Sequence, residues 1–406
     1  MHWPQAMNRS KVAIIKANEY DDSRIRAAIE RGLAQIGEWR SLFEPGARVF
    51  VKINHLSPPS TPERGIITHP VFARAVLDLL KDTGASITVG DDIQSYGEDG
   101  FAVSGFRAMC DEVGVELVNL KEKGFVELPC NGERLKLLHL SRVVRDADVI
   151  VNLPKLKTHS LTLFTGGVKN LYGVIPVGRR TRFHGEYNRL EDFSQVLVDI
   201  FSVAKPHLTI MDGIDAMEGE GPGSGSVRRL GLILLGKDTV SVDAVASRLI
   251  GVDPGRVLTT RFAHERGLGI GKLASIDVVG EQIDRVSVPD FVMPASGSAR
   301  LVGQMPRFLV QFLTARLAVR PLVVKPNCVA CGACERACPV GAIVVVQGRA
   351  RIDRRTCIRC MCCHEVCRYD AIAPSHSLLG ATIRGVMNAG RKLLALWRGA
   401  HRCIGD

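Results

Sequence analysis

Aromatic residues and long apolar runs are both scarce in this sequence. Phe, Trp and Tyr make up 5% of its 406 residues, and no apolar stretch approaches the roughly 20 residues that span a membrane as a helix. The first residues also lack the apolar core of about 7–15 residues that marks a secretory signal. Because hydrophobic residues still account for 46% of the chain, enough for a sizeable core, we expect a globular cytoplasmic protein. The disordered and fibrous classes are excluded.

The common nucleotide-binding motifs are missing as well. The chain contains no G-x-x-x-x-G-K-[ST] phosphate loop. Its glycine-rich segment 219–225 departs from the dinucleotide-binding fingerprint, because Ser224 stands where the third glycine belongs and no helix is predicted to follow. This segment is predicted to be a flexible lid or linker. No nucleic-acid-binding motif is recognisable either, so we expect no nucleic-acid partner.

Cysteine and excess positive charge are concentrated near the C-terminus. Of the 12 cysteines, only Cys110 and Cys130 precede residue 300, and the other ten follow residue 327. The formal net charge is +11. Residues from 301 onward hold 16 Lys and Arg against 5 Asp and Glu, so the charges of the first 300 residues balance. We therefore predict a domain over 1–300 and a separate cysteine-rich part after it.

Eight of these cysteines form two copies of one motif. Each copy has C-x2-C-x2-C-x3-C spacing, and the second follows the first after 29 residues. In such pairs, three cysteines of one copy bind one [4Fe–4S] cluster and the fourth binds the other cluster. The first predicted cluster has the ligands Cys328, Cys331, Cys334 and Cys367, and the second has Cys357, Cys360, Cys363 and Cys338.

The third cysteine of each motif favours iron over zinc. C-x2-C also occurs in zinc knuckles, but zinc ribbons have no use for a third cysteine at this spacing.

Residues 325–375 resemble the bacterial-type two-cluster ferredoxins, and the resemblance implies low-potential electron transfer with a redox partner of the ferredoxin or flavodoxin type. Two features depart from that pattern. Arg368 stands where proline is usual, and Cys362 is an additional thiol whose role is open.

Amphipathic helices are predicted on both sides of this ferredoxin-like module. Apolar residues recur at helical spacing in a linker over 301–324 and again over 376–406. Between 378 and 402 they alternate with basic residues, and a basic amphipathic helix can lie on an anionic membrane surface. We prefer the alternative that both helices pack on the module or on each other, and keep peripheral membrane contact through 378–402 as the second hypothesis.

Residues 1–300 alternate short apolar strands with helical segments. This order is typical of βαβ units. The predicted fold class is therefore α/β, a large domain with a mostly parallel sheet, accompanied by a small α+β ferredoxin-like module with two clusters. Strands are predicted at 11–17, 47–53, 86–91, 115–120, 148–154, 208–213, 230–236 and 276–280, and helices at 22–40, 70–83 and 238–251.

Polar residues directly follow several predicted strands. Open parallel sheets bind ligands beyond the carboxyl ends of their strands, so these side chains are expected to face one crevice. Two of them also follow a glycine pair at a predicted helix start, where backbone N–H groups favour an anion. The predicted ligand is a small carboxylate or phosphate. The candidate binding residues are Lys52, Asn54, Asp91, Asn152, Lys155, Lys157, Lys169, Asn170 and Asp212.

Structural alternatives exist for most of these candidates. Asp91 and Asp212 can cap a helix or pair with lysines, instead of holding a divalent metal in the α/β domain. His159, the candidate catalytic residue, is either a proton donor or a hydrogen-bonded structural histidine. Lys155, Lys157 and Lys169 are harder to explain as solvated surface, because they fall within one short stretch beside glycine-rich turns.

The stretches 151–176 and 211–254 resemble the domain of unknown function 362 family. The resemblance covers most of residues 11–290, and members often carry a C-terminal two-cluster ferredoxin module, as here. It implies a cytoplasmic prokaryotic iron–sulfur protein, with no activity to carry over. Two hypotheses follow: a ferredoxin-linked oxidoreductase acting on a small anion, or an electron carrier or adaptor whose α/β domain docks a partner or senses a metabolite. A short distance between crevice and clusters favours the first.

Overall fold

The large domain is built on a ten-stranded mixed sheet. The computed structural model describes residues 9–56, 60–94, 98–294 and 319–375. Strands β5 and β6 pair as a separate hairpin, and the others join the large sheet. The strands of this domain are β1 (Ser10–Lys16), β2 (Arg48–Ile53), β3 (Ser86–Asp91), β4 (Glu116–Asn119), β5 (Phe125–Pro129), β6 (Leu137–Ser141), β7 (Val149–Leu153), β8 (Lys155–His159), β9 (Leu163–Thr165), β10 (Leu208–Glu218), β11 (Ser226–Gly236) and β12 (Ile276–Gly280).

The order of the sheet confirms the predicted α/β class. It runs β12–β1–β11–β10–β7–β2–β3–β4, with β8 beside β10 and β9 beside β8. Pairing is parallel from β10 through β4, between β1 and β12 and between β10 and β8. Strand β11 runs antiparallel to both of its neighbours. The reason is its short connection to β10, since strands joined by a tight loop pair as an antiparallel hairpin.

Helices cover both faces of the sheet. Alternate residues of β2 show this, because Val51 packs in a core with α1, α2 and α4, whereas Phe50 points into a core with α9. The helices are α1 (Asp22–Ile36), α2 (Pro70–Lys81), α3 (Gly100–Val103), α4 (Phe106–Val113), α5 (Leu120–Lys123), α6 (Arg142–Asp146), α7 (Gly167–Asn170), α8 (Val177–Glu186), α9 (Leu190–Val203), α10 (Thr239–Leu249), α11 (Leu258–Glu265) and α12 (Ile283–Val286). Short 3-10 turns lie at Arg40–Leu42, Pro62–Arg64, Leu171–Val174, Pro254–Arg256 and Leu273–Ser275.

The predicted elements of this domain are found close to their predicted bounds, with instructive differences. The helix predicted over 22–40 ends at Ile36, because Gly37 adopts a φ of 73° and caps it. Strands β10 and β11 are longer than predicted, and the short strands β5, β6, β8 and β9 were not predicted at all. Strand β8, Lys155–His159, was missed because its sequence does not alternate regularly between apolar and polar residues. A half-buried strand shows that alternation, whereas all five residues of β8 are buried.

The ferredoxin-like module is assembled from two small antiparallel pairs. Strand β13 (Arg320–Val323) pairs with β16 (Ile372–Ser375), and β14 (Ile343–Val346) pairs with β15 (Arg349–Ile352). Its helices are α13 (Ala333–Arg336) and α14 (Cys362–Glu365), and a 3-10 turn spans Lys325–Asn327.

The predicted linker helix over 301–324 is wrong at its end. Residues 320–323 form β13 and pair with β16, so the module begins a few residues earlier than predicted. The rest of that linker up to 318, and the basic helix predicted over 376–406, lie outside the described residues. Within the part of the chain that is described, no helix is both long and apolar enough to cross a membrane.

A lysine–aspartate pair is fully buried where β8 meets β10. Lys155 Nζ lies 2.8 Å from Asp212 Oδ2, and both side chains are 0% exposed. The ammonium also donates to the Tyr20 hydroxyl at 2.7 Å, and that hydroxyl donates to Asp212 at 3.0 Å. The carboxylate accepts a further hydrogen bond from the backbone N–H of His69, at the start of α2. The pair therefore ties the loop between β1 and α1, the start of α2, β8 and β10 together through charge and hydrogen bonds.

A second buried pair joins the ends of β2 and β3. Lys52 Nζ lies 2.7 Å from Asp91 Oδ2, with exposed side-chain fractions of 0% and 3%. Lys52 also donates to the carbonyl oxygen of Ile53 at 2.6 Å, and Asp91 accepts the backbone N–H of His55 at 2.9 Å. Burial lowers the pKa of Lys52, to a smaller extent so does the charge of Arg180, and the Asp91 carboxylate opposes that shift. This pair fixes the loop that follows β2.

Replacing Lys155 by Met should lower the free energy of unfolding by about 3–5 kcal/mol, because Asp212 would keep a buried charge without its counter-ion. The matched control is Arg229→Met. Arg229 pairs with Asp215 at 3.0 Å, but its side chain is 63% exposed, and such surface pairs contribute about 0–1 kcal/mol. Chemical denaturation of both variants measures the difference. Equal losses in the two variants would contradict a structural role for the Lys155 pair.

Candidate functional site

A cavity of about 250 Å³ lies between the carboxyl ends of the central strands and the ferredoxin-like module. Five of the nine predicted binding residues line it: Asn54, Asp91, Lys157, Lys169 and Asn170. The α/β domain adds, among others, His55, Thr165, Tyr172, Arg180 and His184, and the module adds Arg336, Ala337, Cys362, Glu365 and Val366. Both parts of the chain therefore form its wall.

Two lysines without a close carboxylate partner give the cavity a basic wall. Lys157 is 1% exposed, and its Nζ donates to the carbonyl oxygen of Ile66 at 2.7 Å. No ion pair involves Lys157 or Lys169 among the described residues, in contrast to Lys52 and Lys155. Burial, together with the neighbouring Lys169, lowers the pKa of Lys157 to about 7, and burial also lowers the pKa of Lys169. An anion in the cavity would stabilise the charged form of both lysines.

Arg180 is held in the cavity wall by a buried carboxylate. Its guanidinium lies 2.9 Å from Asp92 Oδ2 and also donates to the Asp92 carbonyl oxygen at 2.6 Å. Asp92 additionally accepts the backbone N–H of Val177, which begins α8. Burial raises the pKa of Asp92, and the Arg180 guanidinium opposes that shift. Asp92 thereby fixes both the arginine and the helix that carries it.

Four nearly buried polar side chains of the cavity wall have an atom without a hydrogen-bond partner among the described residues. These atoms are Asn54 Oδ1, His55 Nδ1, Thr165 Oγ1 and His184 Nδ1, and the exposed fractions of the four residues are 4–7%. Buried polar groups in proteins are nearly always hydrogen-bonded, so each exception needs an explanation. Their position around one cavity places all four atoms where they could bond to a polar ligand.

The other four predicted binding residues do not line the cavity and instead hold neighbouring parts of the chain in place. Lys52 and Lys155 are neutralised by Asp91 and Asp212, and neither lysine lines the cavity. Asn152 donates from Nδ2 to the carbonyl oxygen of Gly167 at 3.0 Å and accepts from Asn170 at 2.8 Å. It therefore orients the turn that carries Lys169 and Asn170.

His159 contacts the module and does not line the cavity. Its Nδ1 accepts the backbone N–H groups of Leu161 and Thr162 at 3.0 and 3.3 Å. Its Nε2 therefore carries the hydrogen and lies 3.5 Å from Glu365 Oε1. Since Glu365 lines the cavity, His159 is placed to orient a carboxylate of the site.

The predicted anion position at the glycine pair is filled by the chain itself. The N–H groups of Gly167 and Val168, at the start of α7, donate to the Asp243 carboxylate at 2.6 and 3.0 Å. Burial raises the pKa of Asp243 to about 7, against the effect of these two hydrogen bonds. The expectation that this helix start binds a ligand anion is therefore wrong, and Lys169 faces the cavity from the same short helix.

The divalent metal considered for the α/β domain receives no support. The described residues contain no group of three or more His, Cys, Asp or Glu side chains positioned for a single metal ion. Asp91 and Asp212 are paired with their lysine partners.

The predictions missed Arg180, His184 and Glu365 as cavity residues. Arg180 and His184 lie four residues apart on α8, so helical spacing alone could have grouped them.

The module contains two further cavities lined by cysteines. One is lined by Cys328, Cys331, Cys334 and Cys367, and the other by Cys338, Cys357, Cys360 and Cys363 together with the additional thiol Cys362. Each set combines three cysteines of one motif with the fourth of the other, as the spacing predicts. Backbone N–H groups of Ala350, Ala342 and Ala371 point at cysteine sulfurs, at 3.4 Å from Cys328, 3.1 Å from Cys338 and 3.2 Å from Cys367. Such hydrogen bonds favour thiolates and fit iron–sulfur ligation.

The internal repeat is also visible in the backbone. Left-handed residues recur at the same offset in both copies: Ala330 with Arg359, Gly332 with Met361, and Gly341 with Asp370. Positive φ is unfavourable for side chains other than glycine. Arg359, Met361 and Asp370 adopt it all the same, with φ values of 61°, 66° and 50°, which shows that the cysteine-binding loop imposes its conformation on the second copy.

The module docks on the α/β domain through specific polar contacts. His364 Nδ1 lies 2.6 Å from the carbonyl oxygen of Ile372, and its Nε2 lies 3.3 Å from that of Glu220. Ser224 donates to Asp370 at 3.1 Å. The segment 219–225, expected to be a flexible lid or linker, is thus a docking loop for the module. Arg368, the residue in the usual proline position, pairs with Glu98 at 3.0 Å.

Comparisons with known proteins agree with this architecture. Residues 49–248 match the family model described as Domain of unknown function (DUF362), and residues 322–344 match a 4Fe-4S binding domain. A thylakoid-associated protein of Synechocystis sp. is 30% identical over 266 residues, which cover 65% of this chain and 81% of that protein. One component of an ion-translocating oxidoreductase complex of Methanosarcina acetivorans is 40% identical over 50 residues, 12% of this chain and 19% of that protein.

A solved structure shows a distant likeness. The lactate racemase apoprotein from Thermoanaerobacterium thermosaccharolyticum aligns over 58% of this chain and 56% of that one, with 12% sequence identity and a TM-score of 0.37. The sequence matches carry the assignment. The chain therefore belongs to the DUF362 family and carries a 4Fe-4S binding domain near its C-terminus.

Proposed function

We propose that the chain binds two [4Fe–4S] clusters and acts as a ferredoxin-linked oxidoreductase on a small anion in the 250 Å³ cavity. When bound, the clusters supply one-electron transfer. Their ligands in this proposal are the two sets of four cysteines around the module's cavities. The free thiols that such clusters require favour a reducing compartment, in keeping with a cytoplasmic location.

The observation that carries this proposal is that the cavities adjoin one another. Cys362 lines the 250 Å³ cavity, and it also lines the cavity formed by Cys338, Cys357, Cys360 and Cys363. The second cluster would thus be separated from the ligand by little more than the α14 backbone and the Cys362 side chain. A simple electron carrier does not need a ligand cavity against its cluster, so this arrangement favours the enzyme over the carrier or adaptor.

Lys157 and Lys169 are the groups that would bind the anion. Both lack a carboxylate partner within ion-pair distance among the described residues, whereas Arg180, which also lines the cavity, is paired with Asp92. Lys157 can also act as the proton donor, because a general acid works best when its pKa lies near the operating pH, and that of Lys157 is about 7. His159 then orients Glu365 and does not itself reach the ligand.

The hydrogen bonds of His55 add a constraint on the ligand. Its Nε2 lies 3.2 Å from the Gly100 carbonyl oxygen, which can only accept, so Nε2 carries the hydrogen and Nδ1 is an acceptor. Burial lowers the pKa of His55 to about 4, so the ring is neutral at pH 7. Nδ1 has no partner in the described chain. A ligand that bears a hydroxyl or amine beside its anionic group therefore fits better than a simple inorganic anion.

Anaerobic reconstitution of the full chain should give about eight irons per chain, because two cubanes hold four each. Cys331→Ser should lower the iron content and remove one signal from the electron paramagnetic resonance spectrum of the reduced protein. Cys110→Ala is the control, since this buried thiol of α4 lies outside the module. Iron and acid-labile sulfide analysis measures the outcome. About four irons, or stoichiometric zinc, in the wild type would rule out two clusters.

Sulfate, used as a probe anion, should bind more weakly above pH 7. Burial lowers the pKa of Lys157 to about 7, with help from the positive charges of Lys169 and Lys155. The carboxylates of Glu365 and Asp91 oppose this shift. The ammonium is therefore lost as the pH rises above 7, and the affinity should fall by up to about tenfold per pH unit. Sulfate keeps its charge over this range. Calorimetric titration of the reconstituted protein between about pH 6 and pH 9 measures the change.

Lys157→Met should bind sulfate weakly at every pH and lose this pH dependence. Lys136→Met is the matched control, because Lys136 donates to the Gly132 carbonyl oxygen and does not line the cavity. Sulfate should also change the paramagnetic resonance signal of one cluster in the wild type and not in Lys157→Met. Binding that leaves both cluster signals unchanged would favour the carrier or adaptor over the enzyme.

A further inference from the structure

The segment Arg349–Arg359 of the module is an exposed arginine-rich surface. Five of its eleven residues are arginine, and all five are exposed: Arg349, Arg351, Arg354, Arg355 and Arg359. The ion pairs that the module makes with the α/β domain use other residues, Asp370 with Arg64 and Arg368 with Glu98. Among the described residues, none of the five arginines forms an ion pair. Arg351 donates to the Gln347 side chain at 2.8 Å, which leaves its charge uncompensated.

The chain itself has little negative charge left to cover this surface. The sequence outside the described ranges contains a single acidic residue, Asp406. Within the segment, Asp353 accepts the Arg355 backbone N–H at 2.9 Å and the Thr356 hydroxyl at 2.6 Å, so it organises the turn. One carboxylate against five guanidinium groups leaves the surface strongly positive. Such a surface attracts a negatively charged partner over a distance of about 10 Å at moderate ionic strength.

Exposed apolar side chains stand among these arginines. In the β14–β15 pair, Val344 lies opposite Arg351 and Val346 lies opposite Arg349, so all four share the outer face of the hairpin. The two valines are 48% and 40% exposed. Arginine beside exposed apolar side chains is typical of protein–protein interfaces, whereas a purely solvated surface favours lysine and glutamate.

The same segment touches the ligands of both proposed clusters. The backbone N–H of Ala350, between Arg349 and Arg351, points at Cys328 Sγ from 3.4 Å. Cys357 lies within the segment itself, and Arg359 directly precedes Cys360. A protein seated on this surface would therefore lie close to both clusters. This step rests on the proposed function, because it requires that the two sets of cysteines hold clusters.

We propose that Arg349–Arg359, together with Val344 and Val346, is the docking surface for an acidic electron-carrier protein. The reduced carrier gives up one electron, and one cluster of the module accepts it, with no bond made or broken. Nucleic acid is disfavoured, since the segment offers no aromatic side chain on which bases could stack. The position beside the cluster ligands favours a redox protein over a membrane surface, which could neither deliver nor accept an electron there.

The test is electron transfer from a photoreduced flavodoxin of net negative charge to the full-length, reconstituted protein. The variant carries Arg349→Gln, Arg351→Gln, Arg354→Gln and Arg355→Gln. At low ionic strength its second-order rate constant, measured by stopped flow, should fall by about tenfold or more, because steering by complementary charge raises association rates by roughly 10- to 1000-fold. The wild-type rate should decline steeply with added salt, and the rate of the variant should not.

The matched control removes the same charge from the α/β domain. It carries glutamine in place of four exposed arginines that form no ion pair in the described chain: Arg31, Arg142, Arg256 and Arg285. At about 0.1 M salt, where the Debye length is about 10 Å, its rate constant should stay within about twofold of the wild-type value, since charges beyond that distance are largely screened. Iron content and reduction by dithionite, a small reductant that needs no docking surface, should be the same in all three proteins.

Three results would overturn this assignment. The first is an unchanged flavodoxin rate in the quadruple variant with full iron content. The second is a wild type that takes up dithionite electrons but none from flavodoxin. The third is an unchanged flavodoxin rate combined with lost binding to duplex DNA or to phosphatidylglycerol vesicles, which would assign the surface to nucleic acid or to a membrane. A wild type without clusters, by contrast, would refute the proposed function first.

Discussion

The burial of positive charge at the carboxyl ends of the sheet is the constraint on which the rest of the structure depends. An ammonium group taken out of water is costly unless it is paired. The chain meets this requirement at two positions with its own carboxylates, Asp91 for Lys52 and Asp212 for Lys155. It leaves Lys157 and Lys169 without such a partner among the described residues. Two paired lysines fix the strand ends, and the two others make the adjoining cavity attractive to an anion.

The cavity depends on the ferredoxin-like module, because the module forms one of its walls. The docking loop 219–225 and Arg368 hold the module in place. That docking brings Glu365 and Cys362 to the ligand cavity, with the cysteine-lined cavity directly behind them. Anion binding at the lysines and the charge state of a cluster in the module would then influence each other across one helical turn. In the proposed function, fold and redox chemistry are thus coupled by an interface within a single chain.

The sequence was sufficient for the repeated, local features and insufficient for those made by tertiary contact. Cysteine spacing grouped the cysteines that line each cavity of the module, since ligand geometry leaves few alternatives, but it did not place Cys362 in the second cavity. Apolar periodicity predicted most strands. The difference between Lys155 and Lys157 was beyond reach, because it depends on which residue of β10 lies opposite each lysine, Asp212 for Lys155 and Met217 for Lys157. The glycine pair before Lys169 looked like an anion site, yet Asp243, far away in sequence, occupies it.

The differences between the two copies of the cysteine motif follow from the same interface. At the offset of the repeat, Cys362 replaces Ala333, His364 replaces Glu335, Glu365 replaces Arg336 and Arg368 replaces Pro339. Each of these four second-copy residues contacts the α/β domain or lines the cavity shared with it. Proline at position 368 could not pair with Glu98. The departures from a regular ferredoxin pattern are therefore explained by docking. Both copies contribute to the cavity wall, the first through Arg336 and Ala337 and the second through Cys362, Glu365 and Val366, but only the second copy has changed its sequence to meet Glu98 and Glu220 of the α/β domain.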